Sequence, residues 1–175
     1  GVIGLPTETV YGLAANAADE QAVASIYRIK GRPADHPLIV HVADAQAAQQ
    51  WAEWTPAAQR LADAFWPGPL TMIVKKSERV PRETSGGLDT VAVRLPGDAN
   101  ARALIEAAGL PIAAPSANTS GRPSPTSARH VAEDLGGKID MILDGGAVAV
   151  GLESTIVDLT GSVPALLRPG AITPE

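Results

Sequence analysis

The sequence contains no cysteine. Disulfides, thiolate metal sites and a cysteine nucleophile are therefore excluded, and the composition fits a cytoplasmic protein. Aromatic residues make up only 3% of the chain, so a core must be assembled from Ala, Val, Ile and Leu. No apolar run approaches the ~20 residues of a membrane span, and no signal-peptide pattern opens the chain, so no membrane contact is expected. The three histidines, His36, His41 and His130, fall in no H-E-x-x-H or comparable arrangement. A zinc ion held by protein side chains is not expected. Positive charge is also in deficit: 14 basic residues against 19 acidic ones leave a net charge of −5. That balance speaks against strong direct nucleic-acid binding, although it leaves room for a local basic cleft. Walker A, G-x-G-x-x-G and G-x-S-x-G patterns are all missing, which removes the familiar nucleotide cradles and the hydrolase elbow.

What is present fits one domain: 175 residues, 45% apolar, with 17 Gly and 15 Pro marking many short elements and turns. Apolar, β-branched runs predict strands at Val2–Leu5, Pro37–Val42, Leu70–Val74, Val91–Leu95, Pro111–Ala114, Met141–Leu143, Thr155–Leu159 and Ala165–Leu167. Asp19 caps a predicted helix running to about Ile29, with Val23, Ile26 and Tyr27 on one face and Gly31 as its stop. Asp44 and Thr55 read as two further caps, the second followed by Pro56 at the first helical position. Asp98 opens a helix that ends at Gly109, and Thr126 opens one that carries Val131 and Leu135 and stops at Gly136. Strands and helices interleave irregularly, which predicts a mixed α/β fold: a twisted mixed sheet with flanking helices.

Four loops combine Gly or Pro with hydroxyl, amide or cationic side chains. Pro6–Leu13 sets two threonines around a carboxylate, suited to an amino acid or a phosphate; it also reads as a turn with a buried Tyr. Lys30 and Arg32 lie two residues apart past a helix end, where an extended chain would place both on one side as a polyphosphate clamp. The same pair also reads as a basic helix terminus. Ala114–Thr126 runs from a strand to a helix N-terminus, and six of its thirteen residues are hydroxyl or amide types. Gly151–Thr155 precedes a strand, and Arg168 follows the next one. His41, inside an apolar strand, reads equally as a satisfied core residue.

Taken together, PTETVYGLAANA, the K-x-R of KGRP, HPLIVHV, WPGPLT, VAVRLP, APSANTSGRPSPT, GLESTIVD and LRPGAI resemble, in this order, the YrdC-like family of threonylcarbamoyl-AMP synthases. The resemblance runs from Pro6 to Ile172. It implies a twisted mixed sheet around a positively charged central cleft. It also implies a reaction joining L-threonine, bicarbonate (or CO2) and ATP into threonylcarbamoyl-adenylate and pyrophosphate, for transfer to tRNA by a downstream machinery. Carried over by residue, it places threonine against Thr9, His41, Arg94, the backbone near Ala114, and Ser154. ATP falls to Lys30, Arg32, His36, Thr90, Ser116, Asn118, Ser124 and Arg168, with Lys30 and Arg32 as catalytic cations. Mg2+ is expected to arrive with ATP rather than on protein side chains. The family has a short form and a longer two-domain form. PTET, HPLIVHV and GLEST are closer to the longer one, so residues before Gly1 and a domain after Glu175 are expected. An RNA-binding module of the same fold, and a carbamoyl-adenylate-forming domain, are the alternatives.

Overall fold

A computed structural model describes residues 1–175. It contains one nine-stranded mixed sheet flanked by helices. Strand β1 (Ile3–Leu5) turns back into β2 (Gly12–Asn16), and α1 (Glu20–Lys30) leads to β3 (Ile39–His41). Helices α2 (Ala45–Trp51) and α3 (Pro56–Phe65) precede β4 (Leu70–Lys75) and β5 (Thr90–Arg94). Then come α4 (Ala99–Ala108), β6 (Ile112–Ala113), α5 (Ala128–Leu135), β7 (Met141–Ile142), β8 (Thr155–Asp158) and β9 (Ala165–Arg168). The strand order is β7-β1-β2-β6-β3-β5-β4-β8-β9. Parallel pairing joins β1 to β7, β3 to β5 and β4 to β8, and the other pairs are antiparallel.

Local chemistry accounts for the helix ends. The side chain of Asp19 accepts from the Gln21 and Ala22 amides, and Asp44, Thr55 and Asp98 each accept from the amide three residues on. Gly31 ends α1 at φ 64°, and Gly109 ends α4 at φ 65°, in the left-handed conformation that glycine adopts without a Cβ penalty. The expected cap at Thr126 is corrected by one residue. Ser127 accepts from the His130 amide and caps α5, while Thr126 faces His130 Nδ1 instead. Strand β2 was not expected. Its Gly-Leu-Ala-Ala-Asn sequence has little β-propensity, yet it lies between β1 and β6 and beneath α1, where small residues let the layers approach.

Alternation along the strands divides the sheet into two faces. Leu13 and Ala15 of β2, Val40 of β3, Leu70, Met72 and Val74 of β4, and Val91 and Val93 of β5 join the main core with Val23 and Ile26 of α1. Ala14 and Ile112 face the other way and pack with Ala101 and Ile105 of α4. On that second face, α4 covers only part of the sheet. The stretch formed by β3, β5, β4 and β8 is left open as a cleft. No helix is long and apolar enough to cross a membrane.

Candidate active site

The cleft floor follows from the same alternation. Ile39 and His41 of β3, Ala92 and Arg94 of β5, Ile73 of β4 and Ile156 of β8 all point away from the main core. The walls are loops: Thr9 and Val10 after β1, Arg32 with Pro37 and Leu38 after α1, Ala114–Ser116 after β6, Glu153 and Ser154 before β8, and Arg168 at the end of β9. They line a hollow of about 200 Å3 that opens to solvent.

Eight residues expected at the site therefore meet in one hollow: Thr9, Arg32, His41, Arg94, Ala114, Ser116, Ser154 and Arg168. Arg94 is 3% exposed. Its Nε donates to the Gly68 carbonyl at 3.2 Å and its Nη1 to Thr9 Oγ1 at 3.0 Å, while Nη2 pairs with Glu8. The second oxygen of Glu8 accepts from the Gly97 amide. Arg168 donates from Nη1 to Glu153 Oε2 at 3.0 Å, from Nε to the Ser154 carbonyl at 3.0 Å and from Nη2 to Ser154 Oγ at 3.1 Å. Arg32 donates from Nη2 to the Pro37 carbonyl at 2.9 Å. Three guanidiniums thus line the cleft, with Glu153 as its one carboxylate.

The other five expected residues lie elsewhere. The structure corrects the extended-chain geometry assumed for Lys30. Lys30 is the last residue of α1, and the left-handed turn at Gly31 sends it inward while Arg32 faces the cleft. Its Nζ donates to the Ser116 carbonyl at 2.5 Å, the Asn118 carbonyl at 2.7 Å and Asn118 Oδ1 at 3.2 Å. Lys30 is thus a strut beneath the Ser116 loop. Asn118 completes the strut, its Nδ2 donating to the Arg122 carbonyl at 2.6 Å. Ser124 reaches the cleft only indirectly, by donating to Glu153 Oε1 at 2.8 Å. The His36 side chain is in solvent beside Asp35, and only its carbonyl approaches Arg32. Thr90 shares a strand face with Arg94 but stands four residues away, about 13 Å along β5, in a separate hollow with Glu53, Lys75 and Asp89.

Glu8 and Glu153 carried no assignment from the sequence. The available signal was electrostatic: buried arginines need counter-ions, and each of these carboxylates sits next to a hydroxyl residue in a loop already singled out.

Burial shapes the titration. The Lys30 ammonium is pushed down to about 8 by burial and then by Arg32, with Glu153 and Asp134 opposing. Its charge beneath the cleft therefore fades as pH rises through about 8. His41 is driven down to about 3, first by burial and then by the Arg94 charge. Its Nδ1 lies 3.1 Å from the Ile39 carbonyl, and hydrogen bonds to the Ile39 and Ile112 backbone oppose the shift without overcoming it. A folded-state value of about 3 against an ordinary 6.5 means that the unfolded chain binds the extra proton first on acidification. Stability from this residue is fully present above 6.5 and is lost as pH falls toward about 3, with a slope approaching about 1.4 kcal/mol per pH unit. Urea unfolding of His41→Gln across that range is expected to show a shallower acid loss than wild type. Parallel curves would contradict the assignment.

A mixed sheet with its open face lined by three arginines, one neutral histidine and a ring of hydroxyls defines a binding protein for a small anionic ligand. The profile of the Sua5–YciO–YrdC family, described as telomere recombination, matches residues 1–170, and the chain belongs to that family. Over 175 residues it is 58% identical to the threonylcarbamoyl-AMP synthase of Pyrococcus abyssi, covering 99% of this chain and 52% of that protein. It is 37% identical to a putative threonylcarbamoyl-AMP synthase of Mycobacterium tuberculosis, covering 99% of this chain and 80% of that protein. The solved structure of Pyrococcus abyssi Sua5 in complex with L-threonine superposes with a TM-score of 0.95 at 59% identity, over 97% of this chain and 50% of that one. The chain thus spans about half the length of the Pyrococcus relative.

Proposed function

We propose that this chain carries the catalytic domain of a threonylcarbamoyl-AMP synthase, a nucleotidyltransferase serving tRNA modification in the cytoplasm. The observation that carries the reading is the cleft itself, where Arg94, His41, Thr9 and Ser154 line one hollow together with Arg32, Ser116 and Arg168. The named relatives and the threonine-bound structure support the same reading.

In this reaction the amine of L-threonine, relieved of a proton, forms a nitrogen–carbon bond to CO2 supplied by bicarbonate. An oxygen of the resulting carbamate attacks the α-phosphorus of ATP. The bond to the β-phosphate breaks, and pyrophosphate leaves. The protein contributes no nucleophile. Its share is orientation, which turns a multi-reactant step into a local one, and fixed positive charge where phosphoryl oxygens gain negative charge. Arg94 is placed to take the threonine carboxylate, since it lines the cleft and its five N–H groups exceed the three bonds it makes to Gly68, Thr9 and Glu8. Arg32 and Arg168 are placed for the phosphates, with the Lys30 charge one layer beneath. The donor set does not form a protein-held Mg2+ site, because Glu153 is the only lining carboxylate and is engaged by Arg168 and Ser124. Mg2+ fits better on the triphosphate, where it would neutralise phosphate charge.

The test is incubation with ATP, Mg2+, bicarbonate and radiolabelled threonine. A labelled adenylate and an equal amount of pyrophosphate are expected, both abolished when bicarbonate is withheld. Pyrophosphate release without a labelled adenylate would rule the reading out.

A further inference from the structure

Thr7 does not line the cleft, yet its hydroxyl is 2.9 Å from the one that does, Thr9 Oγ1. The proton positions follow from the partners. A carbonyl can only accept, so the Thr7 hydroxyl donates its single proton to the Val10 carbonyl at 2.6 Å. The 2.9 Å contact must then run from Thr9 to Thr7, and Thr7 also accepts from the Thr9 amide at 3.3 Å. Thr7 is saturated. Thr9 has used its proton on Thr7 and one lone pair on Arg94 Nη1 at 3.0 Å. What remains toward the cleft is one lone pair and no proton.

The hydroxyl of Ser154 is wired the other way. Thr71 is fully buried, and its only side-chain hydrogen bond is to Ser154 Oγ at 2.7 Å. A buried hydroxyl proton needs an acceptor, so Thr71 donates to Ser154. Ser154 Oγ also accepts from Arg168 Nη2. Its own proton is left for the cleft. One hydroxyl of the site can therefore only accept, and the other is poised to donate.

We propose that Thr7 is a positioning residue that locks Thr9 as an acceptor, so that this wall selects a hydrogen-donating group of the amino-acid ligand, its amine or its hydroxyl. The carboxylate is left to Arg94. The assignment rests on the threonine-site reading above. Without Thr7 as acceptor, the Thr9 proton is free to turn toward the ligand, where it meets another donor.

The test is calorimetric binding of L-threonine, with no ATP present, to wild type, Thr7→Val and Thr7→Ser. Thr7→Val is expected to weaken threonine binding about tenfold, the scale of one hydrogen bond, and Thr7→Ser to stay within about threefold of wild type. ATP affinity is expected to be unchanged in both. Repeating the series with L-2-aminobutyrate, which keeps the amine but lacks the hydroxyl, assigns the donor. A retained penalty points to the amine and a vanished one to the hydroxyl. If Thr7→Val does not fold, Thr7→Cys is the replacement, since sulfur is a weak acceptor of similar size. Unchanged threonine binding in the Val or Cys variant, or equal losses for threonine and ATP, would overturn the proposal while leaving the synthase reading intact. Absence of threonine binding by wild type would overturn both.

Discussion

Replacing Lys30 with methionine is expected to destabilise the protein by about 3–5 kcal/mol, the scale for breaking a buried charged interaction by removing one partner. The side chain is 2% exposed, and its ammonium holds the Ser116 carbonyl, the Asn118 carbonyl and Asn118 Oδ1. Methionine keeps the packing of the aliphatic stem and deletes all three bonds. Each buried acceptor left without a donor costs about 1–3 kcal/mol. Urea denaturation measures the effect, and a loss below about 1 kcal/mol would show that the strut is not needed for stability. The variant should also lose synthesis of the adenylate. That loss would report the collapse of the loop carrying Ser116 as well as any electrostatic role, so Lys30 variants cannot by themselves assign a catalytic cation.

Arg32 is where the two effects separate. Arg32→Ala is expected to lower adenylate formation by about a hundredfold, the magnitude of removing one preorganised donor from developing negative charge. Its fold should remain within about 1 kcal/mol of wild type, because the half-exposed side chain makes its one short hydrogen bond to a loop carbonyl, that of Pro37. Arg32→Lys should recover only part of the rate, since it restores charge without the planar fork. Single-turnover rates with saturating threonine, beside the urea midpoint, are the measurements to make. Near-normal turnover in a folded Arg32→Ala protein would remove Arg32 from the chemistry.

The elements that were legible in the sequence are those whose signals are local. Asp19, Asp44, Thr55 and Asp98 each sit directly before a helix and bond its first-turn amides. Strand β2 was not legible, because its burial between neighbouring strands and under α1 overrides the weak propensity of Ala and Gly. The motif resemblance brought distant residues such as Thr9, Arg94 and Ser154 to one cleft, which no local pattern could do. It did not fix side-chain direction. Lys30 and Arg32 share a motif but diverge at Gly31, and Thr90 shares the face of Arg94 but not its position along the strand. The hydrogen-bond roles of Thr7 and Thr71 depend on contacts across the chain that spacing does not encode.

The segment carrying Ser116 looks like a loop in sequence but is tied down along its length. Leu13 donates to the Pro115 carbonyl, Ala117 donates to the Tyr11 carbonyl, Gly12 bridges to Ser116, and α1 reaches up from below. A side chain at Gly12 would meet the Ala114 methyl at 3.1 Å, so the two segments run in close contact. These bonds are all made within the protein itself. On the proposed synthase function, a nucleotide would meet this preformed backbone, and the entropic penalty of its capture would fall on the nucleotide and on the freer arginine side chain beside it rather than on the protein backbone.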